Sequence, residues 1–440
     1  MKTGRNYKRR CNEMSSQEFY TAIDVGSSSI KVVIGEMRNS QLHVIGESSV
    51  RSEGLRKGIV VDIEEAVRSV KEAVAQAERM TGLQVTNAVV GISAQQADLQ
   101  HVRGVVTVSN QEITDEDLQR VMQSAKEYKL AEGRELVNVV PMYFTVDTSK
   151  GITDPRGMLG VRLEVDATMI TTSTTLLHNV LTCVERAGVE VRDIYFQPLV
   201  VGYTALTKDE KQQGTACIDI GGGSTTLTLY QDGILQKTAV IPLGGDTITQ
   251  DIAIVLKTTT AQAEQIKQRY GHAFYEDAAE NEFFEVAIEG TDTIAEYSER
   301  YLSEIIGARL AEIFDFVIDE LARMNIQDVP GGIVLTGGVA AMEGIAPLAR
   351  QVMQTRVRIY SPQFISVREP GYATAVGLID YAHKQDTFFR RTFESSVTSS
   401  TQVEPDTTPM YQEQVSEEPE EKQDGKFKKM IKKFYDGIFE

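Results

Sequence analysis

The sequence predicts an α/β protein of two duplicated lobes, with a small α+β subdomain inserted in the first. Three observations carry that prediction. AIDVGSSSIKVVIGE (22–36) returns 195 positions later as CIDIGGGSTTLTLY (217–230). Each is an apolar β-type run ending in an acid, then glycine and hydroxyl residues, then a second β-type run, hence strand, tight turn, strand. Around both copies, strand patterns alternate with helical ones. Residues 85–165 break that rhythm with several short β runs about a single helix.

The totals agree. A chain of 440 residues exceeds one ordinary core, and 41% apolar residues fill two or more. Lys and Arg number 45 against 63 Asp and Glu, a net charge of −18, so no nucleic-acid partner is expected. Cys11, Cys183 and Cys217 lack CxxC spacing and the five histidines lack ligand spacing, so neither a disulfide framework nor a zinc site is expected. No run approaches the ~20 apolar residues of a membrane-spanning helix. The basic start MKTGRNYKRRCNEM has no apolar stretch behind it and is no secretory signal, which leads to a cytosolic expectation. Residues 1–16 are expected to be disordered, with Met14 an alternative start, since strand pattern begins only at Phe19 or Tyr20.

In order, β-type runs at 20–25, 30–36 and 42–46 precede a helix over 62–81, where Ile63, Val67, Val70 and Val74 lie mostly on one face. In the insert, AVVGIS, GVVTVS and LVNVVPMYFTV surround a helix starting near TDEDLQRVMQSA, with Thr114 and Asp117 as its cap. A helix at 175–187 leads to RDIYFQPLVVGYTAL and then to the second hairpin. The first lobe is thus placed at 17–84, 166–206 and 356–385, the second at 207–246 and 326–355, and a helical subdomain at 247–325. PGGIVLTGGVAAMEGI (330–345) returns to strand, glycine turn, helix. Residues 392–421 hold eight acids and no Lys or Arg. Such a stretch buries too little apolar area to offset its ordering entropy, so a disordered acidic linker is expected over 386–424.

The paired turns suit a polyphosphate. Backbone N–H donors reach phosphate oxygens only where side chains are small, as at Gly26, Ser27, Ser28 and Ser29 and at Gly221, Gly222 and Gly223. Asp24 and Asp219, just before the turns, would hold Mg²⁺ mostly through its retained waters, and Lys31 returns positive charge to the phosphates. Either turn alone is equally well an ordinary tight turn. Gly337 and Gly338 in LTGG leave bare backbone for a flat base and ribose. Glu264 and Lys267 share a helix face at i,i+3 and can reach ribose and base, although a solvated ion pair has the same spacing.

Together these four elements, in this order, resemble the actin, Hsp70 and sugar-kinase ATPase superfamily. The resemblance implies an actin-like ATPase fold with a closing helix at 372–383, and ATP with Mg²⁺ as cofactors. It adds Ser224, Thr225, Gly244, Gly245 and Val339 to the nucleotide set. Gln197, before Pro198, falls where relatives orient the attacking water; a carboxamide positions water without deprotonating it, which implies slow ATP hydrolysis at most. The longer strings SEGLRKGIVVDIEEAV, DPRGMLGVRLEV, CVERAGVEVRDIYFQPL, IDIGGGSTT and PGGIVLTGG resemble the FtsA family of bacterial cell-division proteins over nearly the whole chain. That resemblance implies a self-assembling filament at the division septum. It would anchor the FtsZ ring to the cytoplasmic face of the membrane and recruit later division proteins. IIGARLAEI (305–313) resembles the surface that takes the FtsZ C-terminal peptide, with Arg309 and Glu312 as polar contacts; an ordinary salt-bridged helix face has the same look.

The last stretch, GKFKKMIKKFYDGIFE (425–440), is readable without any relative. At about 100° per residue, Phe427, Met430, Ile431, Phe434, Tyr435, Ile438 and Phe439 fill half a helical wheel. Lys426, Lys429, Lys432 and Lys433 fill the other half, with Lys428 at the border. Such a face can pack on its own globule, but the preceding spacer and the lysines suit anionic membrane lipids, each lysine contributing on the order of 1 kcal/mol. Two other functions share the fold. A small-molecule kinase or phosphatase needs a further catalytic acid, and no extra Asp beside the hairpins stands out. An FtsA-like ATP-binding component of a pilus machine would lack a lipid-binding tail.

Overall fold

Every position from Tyr20 to Val25 in the first strand is buried, so both of its faces are covered. It is the central strand of the first lobe in the computed structural model, which describes residues 18–391, 393 and 395–399. Strands β1 (Glu18–Val25), β2 (Ser29–Arg38) and β3 (Gln41–Arg51) form an antiparallel meander. A small hairpin, β4 (Leu55–Arg56) and β5 (Ile59–Val60), leads to helix α1 (Ile63–Thr81). Asp62 caps α1 by accepting from the Glu65 N–H, and Gly82 ends it at φ 70°, a left-handed geometry cheap only for glycine. Val67, Val70 and Val74 do face the core. Strands β6 (Leu83–Val85) and β7 (Asn87–Ile92) follow, β7 parallel to β1.

AVVGIS therefore belongs to the lobe and not to the insert that the sequence placed at 85–165. All six residues of β7 are buried, as a strand flanked by two parallel neighbours requires. The insert is the four-stranded antiparallel sheet β10–β9–β11–β8, built from β8 (Asp98–Thr107), β9 (Arg134–Val146), β10 (Ser149–Ile152) and β11 (Arg162–Ser173). Helix α2 (Asp115–Lys126) packs on it through Leu118, Val121 and Met122, and starts with a Thr114–Asp117 capping box.

After α3 (Thr174–Arg186), β12 (Glu190–Phe196) returns parallel to β7, giving the order β3–β2–β1–β7–β12. Helices α4 (Gln197–Ala205) and α5 (Lys208–Gln213) cross to the second lobe. There β13 (Thr215–Ile220), β14 (Thr225–Gln231) and β15 (Ile234–Ile241) repeat the meander. Helices α6 (Gly245–Leu256) and α7 (Thr260–Tyr270), the hairpin β16 (Phe283–Ala287) with β17 (Ile294–Ser298), and α8 (Glu299–Arg323) form the helical region. Next come β18 (Gly332–Thr336), α9 (Ile345–Met353) and β19 (Val357–Ile359). The second sheet runs β15–β14–β13–β18–β19, the first lobe's order repeated strand for strand. Because β19 pairs parallel with β18, the return to the first lobe, expected from 356, comes only after Ile359.

Helix α10 (Ala373–Phe389) closes the first lobe and packs on α4, where a Cβ on Gly377 would meet the Val200 carbonyl at 2.9 Å. Tyr230 of β14 donates its hydroxyl toward the Pro198 and Leu199 carbonyls, so α4 joins the lobes. The disordered linker expected from 386 does not start there. α10 runs to Phe389, and β20 (Val397–Ser399) pairs antiparallel with β6. The sequence hid this because, among the described residues after α10, only Phe393 and Val397 anchor the segment by apolar contact, the rest being backbone and ionic. The Thr86 N–H donates to Ser396 O, Ser396 N–H to Phe19 O, and Arg391 pairs with Asp193 at 3.1 Å. Residues 1–16, the remainder of the expected linker and the 425–440 helix lie outside the described residues. Among the described residues no helix is long and apolar enough to cross a membrane.

Candidate functional site

The two hairpins are matched in register. β1 and β2 pair up to Val25 and Ile30, leaving Gly26–Ser29 as the turn; β13 and β14 pair up to Ile220 and Thr225, leaving Gly221–Ser224. Asp24 and Asp219 thus hold the same place, one residue before the last pair, and Asp24 lies opposite Lys31. The turns face each other across the lobes: a Cβ on Gly222 would collide with the Ser28 hydroxyl, and one on Gly223 would lie 3.0 Å from the Ser27 side chain. These positions need glycine because the opposite turn occupies the space.

All of the expected nucleotide residues except Thr225 and Gly244 line a single cleft of ≈ 1170 Å³. Thr225 is fully buried and turns away, its hydroxyl donating to Leu243 O at 2.9 Å. Gly244 sits behind the second turn and starts α6, whose first amides, of Gly245 and Asp246, donate to Gly221 O and Gly222 O. Gln197 is the first residue of α4, and its Nε2 donates to Asp24 Oδ1 at 2.8 Å. Lys31 Nζ donates to Ser29 Oγ at 2.8 Å and stands 5.8 Å from the Tyr372 ring centroid.

Glu264 and Lys267 are more than an isolated pair. Lys267 Nζ lies 2.7 Å from Glu264 Oε2, and also donates to Gly245 O at 3.0 Å and Thr249 Oγ1 at 2.7 Å. They tie α7 to the start of α6 beside the second turn. Burial works against ionised Glu264, but Lys267 and hydrogen bonds from Thr249 and Gln268 outweigh it and hold the carboxyl below its ordinary value. Opposite, Gly337 adopts φ 90°, where a Cβ would strike Asp219 Oδ1, while Gly338 faces open space. Gly371 packs against Gly338 from behind.

The carboxylates carry the electrostatics. Burial pushes Asp24 up against the pull of Lys31 and the Gln197 hydrogen bond. Asp219 is pushed up to about 6, first by burial and then by the charge of Asp24, with Lys31 opposing. Two buried acids that resist joint ionisation are a donor set that a divalent cation would relieve. Among the described residues no group of three His, Cys, Asp or Glu forms a metal cluster, so a cation here would keep most of its waters, as Mg²⁺ does. The residues present therefore fit a Mg²⁺-nucleotide.

Comparison with known proteins follows this geometry. The profile of "Cell division protein FtsA" matches residues 216–377, and that of "SHS2 domain inserted in FTSA" matches 94–171, the stretch that holds most of the antiparallel insert. The cell division protein FtsA of Bacillus subtilis (strain 168) is 50% identical over 371 residues, 84% of each chain. That of Enterococcus hirae is 36% identical, covering 97% of this chain and 100% of the relative. The chain belongs to the FtsA family of cell division proteins. Among solved structures, the PilM-PilN type IV pilus biogenesis complex matches with a TM-score of 0.57 at 18% identity, over 82% of this chain and 97% of that one. MreB5 of Spiroplasma citri bound to ADP matches at 0.50 and 14%, over 84% and 96%. These likenesses concern the fold, which is the actin-like ATPase fold with the SHS2 insert of FtsA proteins.

Within this FtsA framework the remaining expected residues are placed unequally. Arg309 and Glu312 lie on α8 and are not among the residues lining the cleft, and Arg309 is already engaged: Nε and Nη2 clasp Asp251 of α6 at 2.5 and 3.0 Å, and Nη1 pairs with Glu312. The residues expected to meet the membrane, Phe427, Lys428, Lys429, Met430, Ile431, Lys432, Lys433, Phe434, Tyr435, Ile438 and Phe439, lie outside the described residues. Two cleft groups, Asp246 and Thr249, and one residue behind them, Tyr372, went unread in the sequence. Asp246 accepts from Ser28 Oγ at 2.9 Å, Thr249 bonds both Glu264 and Lys267, and Tyr372 stands over Lys31 while its hydroxyl donates to Glu47 at 2.6 Å. Asp246 also corrects the expectation that no further acid lies beside the hairpins. The signal was present as an acid directly after Gly244-Gly245 at a helix start.

Proposed function

We propose that this FtsA-family protein binds Mg-ATP between its lobes and acts as a self-assembling adaptor that anchors the FtsZ ring to the cytoplasmic membrane at the septum. The observation that carries the nucleotide reading is the meeting of two register-matched acidic turns from opposite lobes, with Asp24 close enough to Asp219 to raise its pKa. A nucleotide's polyphosphate would lie on Gly26–Ser29 and Gly221–Ser224, its charge balanced by Lys31 and by Mg²⁺ held between Asp24 and Asp219 through water. The base and ribose would rest between Gly337, Gly338 and Val339 and the Glu264–Lys267 pair. The bound cation supplies neutralisation of the phosphate charge. Gln197, hydrogen-bonded to Asp24, would orient a water but not deprotonate it, which favours slow hydrolysis. MreB5, crystallised with ADP, gives a precedent for nucleotide on this fold.

The adaptor reading draws on family membership and on the charge and apolar pattern of residues 425–440. A single such helix binds reversibly, and filament assembly multiplies the anchors without new contacts. The FtsZ C-terminal peptide would dock near Arg309 and Glu312, and later division proteins on the insert. The test is electron microscopy on anionic lipid monolayers with and without ATP. Filaments on the lipid that need both nucleotide and residues 425–440 support the reading, and nucleotide-independent deposition or bare lipid refutes it.

A further inference from the structure

The hydroxyls of the first turn make hydrogen bonds of different reach. Ser27 Oγ accepts from the Gly58 N–H of its own lobe at 2.5 Å. Ser28 Oγ instead donates across the cleft to Asp246 Oδ1, 2.9 Å away, in the opposite lobe. This is no chance touch across a wide gap, because Gly222 and Gly223 pack directly on Ser28, Ser27 and the Lys57 backbone. Asp246 is itself fixed at the start of α6, its N–H donating to Gly222 O at 2.9 Å. Both side chains are solvent-exposed, so the bond can open without breaking a core.

We propose that Asp246 sets how readily the cleft admits a polyphosphate: its carboxylate holds Ser28 and keeps the two turns shut until a phosphate oxygen takes the hydroxyl from it. The proposal rests on the nucleotide reading above. A serine hydroxyl has one proton to donate, so carboxylate and phosphate compete for it one for one. An arriving phosphate also meets the charge of Asp246, which favours the carboxylate swinging aside. The Ser28–Asp246 bond and a Ser28–phosphate bond therefore exclude each other. Where only the open fraction binds, apparent affinity falls by that fraction. One exposed, charge-assisted hydrogen bond biases the balance by a few-fold to about ten-fold.

The test uses the full chain with two readouts: amide hydrogen exchange over residues 26–29 and 221–223 without nucleotide, and stopped-flow binding of N-methylanthraniloyl-ATP with Mg²⁺. Asp246→Ala should speed exchange in both turns and raise the association rate by the same few-fold to ten-fold factor, with dissociation unchanged. Asp246→Asn keeps an acceptor for Ser28 and should stay near wild type in exchange. Unchanged exchange in Asp246→Ala overturns the proposal, and so does weaker analogue binding, which would make Asp246 a ligand-holding group. If wild type binds the analogue and Asp246→Ala matches it, only this proposal fails. An analogue that binds no variant refutes the nucleotide reading and this proposal with it.

Discussion

Ionising Asp219 beside Asp24 costs the ligand-free protein stability. The folded carboxyl titrates at about 6, against 3.8 for the ordinary group. The penalty is therefore absent below the unfolded value, grows between the two, and is complete above about 6, on the order of 3 kcal/mol. Asp219→Asn should raise the thermal midpoint of the ligand-free protein at pH 7.5 and lose that advantage as the pH falls towards 4, read by calorimetry. Asp219→Ala should abolish Mg-ATP binding in isothermal titration; wild-type affinity would remove the clamp. Gly222→Ala should keep the fold yet prevent binding, because its methyl group needs the space of the Ser28 hydroxyl. Asp24, Asp219 and the glycines were legible because acid, turn and strand are local patterns. The Ser28–Asp246 bond spans 218 residues and has no local signature.

At the scale of elements, Arg309 fastens α8 to α6 through Asp251. Arg309→Ala should lower stability in urea by about 1 kcal/mol, the value of a well-formed but partly exposed pair. Arg391 is a stronger case. Its side chain is 14% exposed and pairs with Asp193 and Asp386, themselves buried with Arg192. Removing it strands buried carboxylates, so Arg391→Ala should cost about 3 kcal/mol in the same measurement. Helices with an apolar stripe, such as α1, and capped starts, such as Thr114–Asp117, were readable because periodicity and capping are written within a dozen residues. β7 and β19 were misassigned because partners, not composition, decide which sheet takes a short apolar strand. The segment 390–399 looked like linker because Phe393 and Val397 are its only apolar anchors among the described residues, and the backbone hydrogen bonds and buried ion cluster that hold the rest leave no hydropathy pattern.

Over the whole molecule, the repeat of one strand order in two sheets explains why the two acidic turns meet: equivalent ends of equivalent sheets face a common cleft. The duplication was visible in the first hairpin strands, and the full order emerges only with the parallel partners β7, β12, β18 and β19. Deleting residues 425–440 should release the protein from anionic liposomes in a sedimentation assay while leaving ATP affinity intact; unchanged sedimentation would defeat the anchor. The docking of β20 on β6 has a mechanical consequence for such a tether. Tension along a tether continuing beyond Ser399 would be delivered to β6 and, through Ser396, to Phe19 of β1. Such a load would enter on the strand that ends in the Asp24 turn, and so would bear on the first lobe's half of the cleft.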